Sequence, residues 1–332
     1  MNPDSAADSR PSSILPGIVA WSMKSSTRAA LVTTAIGGDY LKDFRRFSLP
    51  YWQKYAEKHD IGIIALTDLE AFGRNTRGMN GAWLKLLAPE VVALHYPNLE
   101  RIALVDTDVI MSPGAPDIFQ AAPPNQIAVV SEYENLPYRL VEVKKRMAFL
   151  RKKFYSADYP LDSVLFASAE QLFEMEGLPA HSNYFCSGLV IVPQSESRLF
   201  ATWFDEGALR SSEVSVAWEQ TFVAHKVLEK GCYWLPYDFQ AIWNREMAES
   251  YPSLYAHGDL SVNQFAQAAV ADVLSKRHFL HFAGSWTEST AWRNDPSQVI
   301  ARLAGLHHES FSRYRKTAVS GKPRGKVTPV DR

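Results

Sequence analysis

Short apolar runs recur along the chain, and each one ends at glycine, proline or polar residues. Four of them are RAALVTT at 28–34, IGIIAL at 61–66, RIALV at 101–105 and LVIV at 189–192. Runs of this length, bounded by turn signals, are typical of buried strands in a parallel sheet. The first run leads through a glycine-containing turn into a segment with helical spacing, so the pattern predicts an α/β fold.

Segments with helical spacing lie between these runs. Aromatic residues recur on one face of residues 40–59, which predicts a core-facing helix that Pro50 divides into two parts. Further helices are predicted at 83–94, where Pro89 breaks or restarts the helix, and at 199–210 and 215–230. A basic, aromatic-containing insert at 133–162 is expected to be mostly a solvated helix face, and it could also cover a binding site.

The most informative apolar run is RIALV at 101–105, because two carboxylates, Asp106 and Asp108, follow it. Residues two apart on an extended backbone point to the same side, so both side chains can face one point in space. Like charges held that close repel unless a cation lies between them, and Mg²⁺ and Mn²⁺ take oxygen ligands. The pattern therefore indicates a metal site at the carboxyl end of a buried strand, where open α/β sheets bind ligands. A charged strand end is the alternative, since the bare DxD tripeptide is common by chance.

The composition narrows the class of protein. The 332 residues are 46% hydrophobic and 21% charged with a net charge of -1, which indicates a globular protein and argues against a nucleic-acid partner. Two cysteines, Cys186 and Cys232, are too few for a disulfide framework and fit a reducing compartment. No apolar stretch approaches the roughly 20 residues of a transmembrane helix, and the N-terminus lacks a signal-peptide pattern. A cytoplasmic location is the default expectation.

Polar residues at the end of the first strand are candidates for a nucleoside pocket. Thr33, Thr34 and Ala35 would line it, with Tyr40 near the base; an ordinary turn between strand and helix is the alternative. Lys85 lies one turn into the helix at 83–94. It is either a cation near a diphosphate or an ordinary solvated charge.

Three later positions carry similar alternatives. Ser187 and Gly188 enter a buried strand, which suggests close backbone approach to a ligand or to a neighbouring side chain. Glu219 and Gln220 begin a helix and are a polar pair of the type that holds sugar hydroxyls, or simply a charged first turn. His281 lies near a strand end, where it is a third metal ligand if the DxD is a metal site and otherwise a core histidine.

The two ends of the chain differ from the middle. Residues 1–27 are rich in serine, proline and alanine and are expected to be a mobile leader. Residues 28–310 are expected to form a single domain. The tail at 311–332 is basic and poor in apolar residues. It is expected to be flexible and solubilising, and it could hold the protein peripherally against anionic lipid.

The order of these segments carries more information than any one of them. VTTAIGG, WLKLLAP, RIALVDTDVIM with APDIF, YFCSGLVIV, WEQ, LPYDFQAIWN and HFAG follow one another between about residues 28 and 288. This set resembles the nucleotide-diphospho-sugar glycosyltransferases of the GT-A fold, most closely glycosyltransferase family 8. The resemblance implies a Rossmann-like mixed sheet flanked by helices, Mn²⁺ or Mg²⁺, a nucleotide-sugar donor with UDP favoured, and a glycan or other hydroxyl acceptor. It also implies transfer with retention of anomeric configuration.

The resemblance assigns roles to the candidate residues. Asp106 and Asp108, with Thr107 between them, would bind the metal and the donor, and His281 would complete the metal ligands. Thr33, Thr34, Ala35 and Tyr40 would bound the nucleoside, while Lys85, Ser187, Gly188 and Gly284 would lie near the donor. Glu219 and Gln220 would lie near the reacting carbon, so that Asp108, Glu219 and Gln220 form the expected catalytic set.

Three positions depart from the family pattern. Cys186 stands where the family has asparagine, and Glu219 stands where it usually has aspartate. Thr287 stands where a diphosphate-binding lysine belongs, and Lys85 or Arg293 is the expected substitute. A non-catalytic sugar-nucleotide or glycan-binding domain of the same fold is therefore an alternative. A nucleotidyltransferase is disfavoured, because IGGDY lacks the basic residue of its glycine-rich loop.

Overall fold

A computed structural model describes residues 13–74, 76, 79, 81–155, 164–208, 219–256, 264–283 and 289–305. In this part of the chain an eight-stranded mixed sheet is flanked by helices, and a three-stranded sheet lies beside it. The predicted fold class, an α/β protein built on a mixed sheet, is confirmed. No helix among the described residues combines the length and apolar character needed to cross a membrane.

The large sheet has the strand order β1-β2-β4-β3-β5-β8-β7-β9. Its strands are β1 (Ser13–Leu15), β2 (Ile18–Trp21), β3 (Ala29–Thr34), β4 (Gly62–Leu66), β5 (Arg101–Val105), β7 (Ala128–Ser131), β8 (Phe185–Pro193) and β9 (Tyr233–Leu235). The central strands β4, β3 and β5 are parallel, and β8 is antiparallel to β5 and to β7. The four apolar runs read from the sequence are thus β3, β4, β5 and part of β8.

The small sheet has the order β10-β11-β6 and contains β6 (Val109–Met111), β10 (Ala241–Ile242) and β11 (Phe279–His281). Strand β6 follows β5 directly, so the two sheets diverge at Asp106, Thr107 and Asp108. Strand β11 runs antiparallel to β6. The short segment with the two carboxylates is therefore the junction between the sheets.

In the part of the chain that the structure describes, α-helices surround the sheets. They are α1 (Gly38–Asp43), α2 (Leu49–His59), α3 (Gly81–Leu84), α4 (Ala88–His95), α5 (Leu140–Phe154), α6 (Ala169–Met175), α7 (Ser197–Ala208), α8 (Gln220–Lys230), α9 (Trp243–Ser250) and α10 (Gln264–Lys276), and residues 296–305 are also helical. Pro50 does not divide the first helical segment as predicted. It lies in the first turn of α2, where no amide donor is needed, after a π-helical turn at Phe44–Ser48.

The sheet begins earlier than the sequence analysis expected. Strands β1 and β2 form an antiparallel hairpin, and β2 pairs with β4 across Ile18 to Trp21. This corrects the domain start at Arg28, because residues 13–21 belong to the sheet instead of a mobile leader. The apolar residues of IVAW are buried in β2, one strand in from the edge strand β1, and Gly17, with a φ of 70°, makes the tight turn between the two strands.

The side chains of alternate residues in the central strands pack into two different apolar cores. Leu31 and Ile63 point to one core, which the aromatic face of α2 and the helices α9 and α10 complete. Val32 and Ile64 point to the other, which is closed by α4, α7 and α8. The alternation of side chains across a strand thus covers both faces of the sheet with helices, as expected for parallel strands.

The strand order creates a crevice between β3 and β5. Both β4 and β5 follow β3 in the sequence, yet they lie on opposite sides of it and run parallel to it. From β3 the chain passes to β4 on one side, whereas the strands of this sheet that follow β5 in the sequence, β7, β8 and β9, lie on the other side, so the two connections separate at the carboxyl ends of β3 and β5. In doubly wound folds this is the position at which ligands, and nucleotides above all, bind.

Candidate functional site

Strand pairing brings a histidine from the end of the chain to the two carboxylates. In the small sheet His281 lies opposite Val109, the residue that follows Asp108. The backbone amide of Phe282 also donates to the carbonyl oxygen of Asp108, at 3.2 Å. The register between β6 and β11 therefore places the imidazole beside the carboxylates of Asp106 and Asp108.

The three side chains form a group that suits a divalent cation. Nε2 of His281 lies 3.3 Å from Oδ1 of Asp108 and 3.8 Å from Oδ2 of Asp106, and one ligand atom from each residue falls within 4.8 Å of the others. His281 is 2% exposed, while the Asp106 and Asp108 side chains are 36% and 28% exposed. Two carboxylate oxygens and one imidazole match the preferences of Mn²⁺ and accept Mg²⁺, and the exposed side leaves room for oxygens of a ligand.

Gly188 allows His281 to reach this position. A Cβ atom built on Gly188 would lie 2.1 Å from Cε1 of the imidazole, so the ring packs directly on the strand backbone. The carbonyl oxygen of Gly188 accepts a hydrogen bond from the amide of Asp106 at 3.0 Å. The close approach predicted for this glycine is thus an approach to a neighbouring side chain.

A second group of charges lies directly behind the carboxylates. Nζ of Lys85 lies 3.2 Å from Oδ1 of Asp106 and 2.7 Å from Oε1 of Glu219. It also donates to the hydroxyl of Ser187 at 3.0 Å, and that hydroxyl donates to Glu219 at 2.7 Å. Lys85 and Glu219 are buried, at 8% and 3% exposure. Lys85 is therefore not the solvated helix charge that was one of its two interpretations.

The pKa values follow from these contacts. Burial raises the pKa of Asp106, but the charges of Lys85 and His281 outweigh burial and hold it below its ordinary value. Burial lowers the pKa of Lys85, but the carboxylates of Asp106 and Glu219 raise it above its ordinary value. Burial also lowers the pKa of His281, yet Cys186 and Asp108 raise it well above the ordinary value. A proton on the imidazole and a cation would thus compete for the same place.

Gln220 is held in a separate network. Its Nε2 donates to the hydroxyl of Tyr184 at 3.2 Å, and that hydroxyl lies 3.0 Å from Oγ1 of Thr221. Its Oε1 accepts a longer bond of 3.4 Å from the amide of Ser187. Glu219 and Gln220 at the start of α8 therefore both contact Ser187. The structure thus brings the candidates Ser187, Glu219 and Gln220 together next to Lys85.

The residues expected to bound a nucleoside line the crevice between β3 and β5. Its walls are Val32, Thr33, Thr34, Lys85, Ala88, Leu104, Val105 and Asp106. Oγ1 of Thr33 is buried and has no hydrogen-bond partner among the described residues. An unpaired buried hydroxyl is costly, so a polar group that reached this atom would gain a hydrogen bond to it.

The other two nucleoside candidates occupy different surroundings. Ala35 is fully buried, and its amide donates to the carbonyl oxygen of Leu66 at 2.8 Å. Tyr40 is 45% exposed on α1, and burial and then the charge of Asp108 raise its pKa. Tyr40 is therefore accessible, whereas Ala35 is enclosed.

The connection between the two carboxylates is tied to α2. The hydroxyl of Ser48 donates to the carbonyl oxygen of Thr107, and Nε1 of Trp52 donates to the carbonyl oxygen of Val109 at 2.8 Å. These contacts fix the backbone on both sides of Asp108. The buried aromatic face of α2, predicted as core, thus also supports the candidate site.

Two of the predicted positions, Gly284 and Thr287, lie outside the described residues. Of the two basic residues considered as substitutes for the missing lysine, Arg293 forms an ion pair of 2.8 Å with Asp43. Lys85, in contrast, contacts Asp106 directly. Of these two basic residues, Lys85 is therefore the one that contacts the candidate metal group.

Sequence reasoning gave no role to Gln240. Its Nε2 lies 3.2 Å from Nδ1 of His281, on the side of the ring that faces away from the carboxylates. Sγ of Cys186 lies 3.5 Å from the same nitrogen. The segment LPYDFQAIWN was noted as a motif, but nothing in its pattern indicates that its glutamine touches a histidine far along the chain.

Comparisons with known proteins were made at the levels of family, sequence and structure. No protein-family model matches the chain, and no curated protein matches its sequence. A crystal structure of a glycosyltransferase involved in glycosylation of the major capsid of PBCV-1 aligns over 80% of this chain and 97% of that one, with 9% identity and a TM-score of 0.43. The apo structure of the bifunctional glycosyltransferase WbbM aligns over 84% of this chain and 52% of that one, with 10% identity and a TM-score of 0.47.

Proposed function

We propose that the protein is a metal-dependent glycosyltransferase that moves a sugar from a nucleotide-diphosphate donor to a hydroxyl acceptor. The observation that supports this proposal best is the position of the Asp106, Asp108 and His281 group. It lies at the carboxyl end of β5, beside the crevice at the sheet's switch point, where a nucleoside would place its diphosphate over the carboxylates.

Each residue near the crevice has a proposed task. Thr33, Thr34 and the accessible Tyr40 bound the nucleoside, and the unpaired hydroxyl of Thr33 offers it a hydrogen bond. Asp106, Asp108 and His281 would hold Mn²⁺ or Mg²⁺. When bound, such a cation neutralises charge on the leaving diphosphate as the glycosidic bond breaks.

In this proposal Lys85 and Glu219 act from behind the carboxylates that bind the donor. The ammonium of Lys85 fixes the carboxylates of Asp106 and Glu219, and it adds positive charge on the diphosphate side. Gln220 and Glu219 are the candidates for stabilising positive charge on the sugar ring. In the reaction the bond from C1 to the diphosphate oxygen breaks, and the nucleotide leaves with the electron pair. The acceptor oxygen bonds to C1, and its proton passes to the released diphosphate.

The finer assignments come from the resemblance to family 8. They are a UDP-sugar donor, a glycan or other hydroxyl acceptor, retention of anomeric configuration, and donor contacts from Thr107, Ser187, Gly188 and Gly284. A cytoplasmic location, with contact between the basic tail and anionic lipid, is proposed on the sequence alone.

A non-catalytic domain that binds a sugar nucleotide or glycan is the second candidate. The observation that favours it is Thr287, which stands where the family has a diphosphate-binding lysine. The buried contact of Lys85 with Asp106 argues for the enzyme, because it supplies a cation at the proposed diphosphate position.

The test is hydrolysis and binding of a panel of UDP- and GDP-sugars with Mn²⁺, with Mg²⁺ or with EDTA. We expect slow, metal-dependent release of nucleotide from one donor, with the rate lowered by ~10²-fold or more in Asp108→Asn. The control is Asp60→Asn, because Asp60 is an exposed carboxylate paired with Lys24, and asparagine tolerates its left-handed φ of 55°.

The outcomes separate the two candidates. Donor binding that requires metal and Asp108, without turnover when hydroxyl acceptors are added, would favour the binding domain. Neither binding nor turnover with any donor would contradict the enzyme, and it would leave a non-catalytic domain that binds a glycan. The anomeric configuration of an isolated product, measured by NMR, would decide whether transfer proceeds with retention.

A further inference from the structure

Gln240 contacts His281 on the side of the ring that faces away from the carboxylates, and one polar atom of Gln240 is unsatisfied. Gln240 is 2% exposed, and its Oε1 has no hydrogen-bond partner among the described residues. Its other terminal atom, Nε2, lies 3.2 Å from Nδ1 of His281. A buried amide oxygen without a partner costs free energy, so the hydrogen bonding of this amide is incomplete in the orientation shown.

The chemistry of a metal-binding imidazole requires the opposite orientation. A cation at Asp106 and Asp108 needs the lone pair of Nε2, which leaves the ring proton on Nδ1. Nδ1–H is a donor and cannot bond to the NH₂ group of Gln240. The amide oxygen and nitrogen have nearly the same shape and can be exchanged. The exchange places Oε1 about 3.2 Å from Nδ1, so that Oε1 accepts the hydrogen bond that Nδ1–H donates.

We infer that Gln240 is a positioning residue for His281: its amide oxygen accepts the Nδ1–H proton and so holds the Nε2 lone pair toward Asp106, Asp108 and a bound divalent cation. The inference rests on the proposed metal site. Gln240 touches neither donor nor cation in this arrangement. It acts through His281, in the way that partners of metal-bound histidines fix the ring and its tautomer.

The backbone supports this assignment. Gln240 ends the 3₁₀ turn Tyr237–Gln240, and the next two residues form β10, which pairs in parallel with β11. In that register Ile242 lies opposite His281 and Ala241 opposite Leu280. One small sheet therefore fixes both the histidine and the amide that contacts it.

Cys186 is the competing acceptor, because its sulfur lies 3.5 Å from the same nitrogen. Sulfur is a weak acceptor, and the contact is longer than that of Gln240. Removing the thiol is therefore expected to change metal binding less than removing the amide. Cys186→Ala separates the two contributions.

The experiment measures Mn²⁺ affinity by calorimetry in the full-length protein. We expect Gln240→Leu to weaken Mn²⁺ binding by about 10- to 100-fold, the usual effect of removing such a partner. Gln240→Glu restores an acceptor and should stay within about threefold of the wild type. The matched control is Gln267→Leu, because Gln267 is also buried with an unpaired Oε1 but lies on α10.

A second measurement does not depend on a variant that folds. Nitrogen-15 NMR of histidine-labelled wild-type protein with saturating Mg²⁺ should show His281 with a protonated Nδ1 and an unprotonated Nε2. A metal-bound His281 that carries its proton on Nε2 would overturn the inference. Equal Mn²⁺ affinity of Gln240→Leu, Gln267→Leu and the wild type would overturn it as well.

These results also separate this inference from the proposed function. If the wild type binds neither Mn²⁺ nor Mg²⁺, the proposed metal site fails, and the role of Gln240 fails with it. If the wild type binds Mn²⁺ through Asp108 but is indifferent to Gln240, only the positioning role is wrong. A smaller loss in Cys186→Ala than in Gln240→Leu supports the amide as the principal acceptor.

Discussion

The candidate site has two halves that are both built from polar and charged side chains but lie in opposite surroundings. The front half is Asp106, Asp108 and His281, with partly exposed carboxylates and contacts of 3.3 Å and 3.8 Å to the imidazole. The back half is Lys85, Ser187 and Glu219, which are buried and joined at 2.7 Å and 3.0 Å.

The difference indicates what each half contributes. In the back half Glu219 has the ammonium of Lys85 as a permanent partner at 2.7 Å, so the charge of this carboxylate is compensated without a ligand. In the front half two carboxylates share one imidazole and face solvent, which leaves negative charge for a cation. We therefore expect the back half to determine stability and the front half to determine binding.

The largest expected effect on stability is that of Lys85→Met. This change leaves the buried Glu219 without its cation, and breaking a buried pair by removing one partner costs about 3–5 kcal/mol. Urea unfolding measures the difference. Asp108→Asn should shift the unfolding free energy by less than about 1 kcal/mol, because Asp108 is partly exposed and away from Lys85.

A double variant sharpens that result. Lys85→Met with Glu219→Gln removes both charges, so its cost should be smaller than the sum of the two single changes. Additive costs would contradict the proposed pairing. Equal destabilisation by Lys85→Met and Asp108→Asn would remove the distinction between the halves.

Gly188→Ala should affect the two halves unequally. The added methyl group would overlap the ring of His281, which must move, at an expected cost of about 1–3 kcal/mol. Mn²⁺ affinity measured by calorimetry should fall, while the Lys85 contacts remain. The control is Gly81→Ala at the start of α3, where no atom lies within 4 Å of the new methyl group. Unchanged affinity in Gly188→Ala would show that the ring position is not critical.

The smallest effect concerns a lysine outside the site. Lys144 on α5 is half-buried, but its Nζ contacts the Ala167 carbonyl oxygen at 2.6 Å and the Tyr133 ring instead of a carboxylate. Burial, and then repulsion from Arg245, lowers its pKa to about 8, with Glu132 opposing the shift.

The sign of the resulting pH dependence follows from that pKa. The unfolded chain holds the Lys144 proton up to about pH 10.4, so between pH 8 and that value the unfolded state binds more protons than the folded state. The contribution of Lys144 to the unfolding free energy therefore rises with pH across this interval. Unfolding of wild type and Lys144→Met at several pH values measures it; an identical pH slope would contradict the shift.

Much of the fold and part of the site could be predicted from the sequence. The apolar runs of β3, β4 and β5 are buried on both faces, and such runs are distinctive. Asp106 and Asp108 could be found because a charge pair at the end of a buried strand is visible in the sequence. The β1–β2 hairpin was missed because its strands are short and follow a polar segment.

Other features depend on tertiary contacts that no local pattern encodes. Lys85 could not be distinguished from a solvated helix charge, because its two carboxylate partners come from distant segments. Gln240 had no visible role, because its partner His281 is on another strand. Likewise, the packing of the His281 imidazole on Gly188 becomes apparent only when β8 and β11 are brought together.

The pairing of β6 with β11 has a consequence for the synthesis of the protein. A ribosome releases Asp106 and Asp108 long before it releases His281, so a nascent chain passes through an interval in which the carboxylates lack their imidazole partner. The binding group forms only when the strand near the end of the described chain docks against a strand made much earlier. Any metal ion that this group holds would therefore be captured late in the maturation of the protein, after translation has passed residue 281.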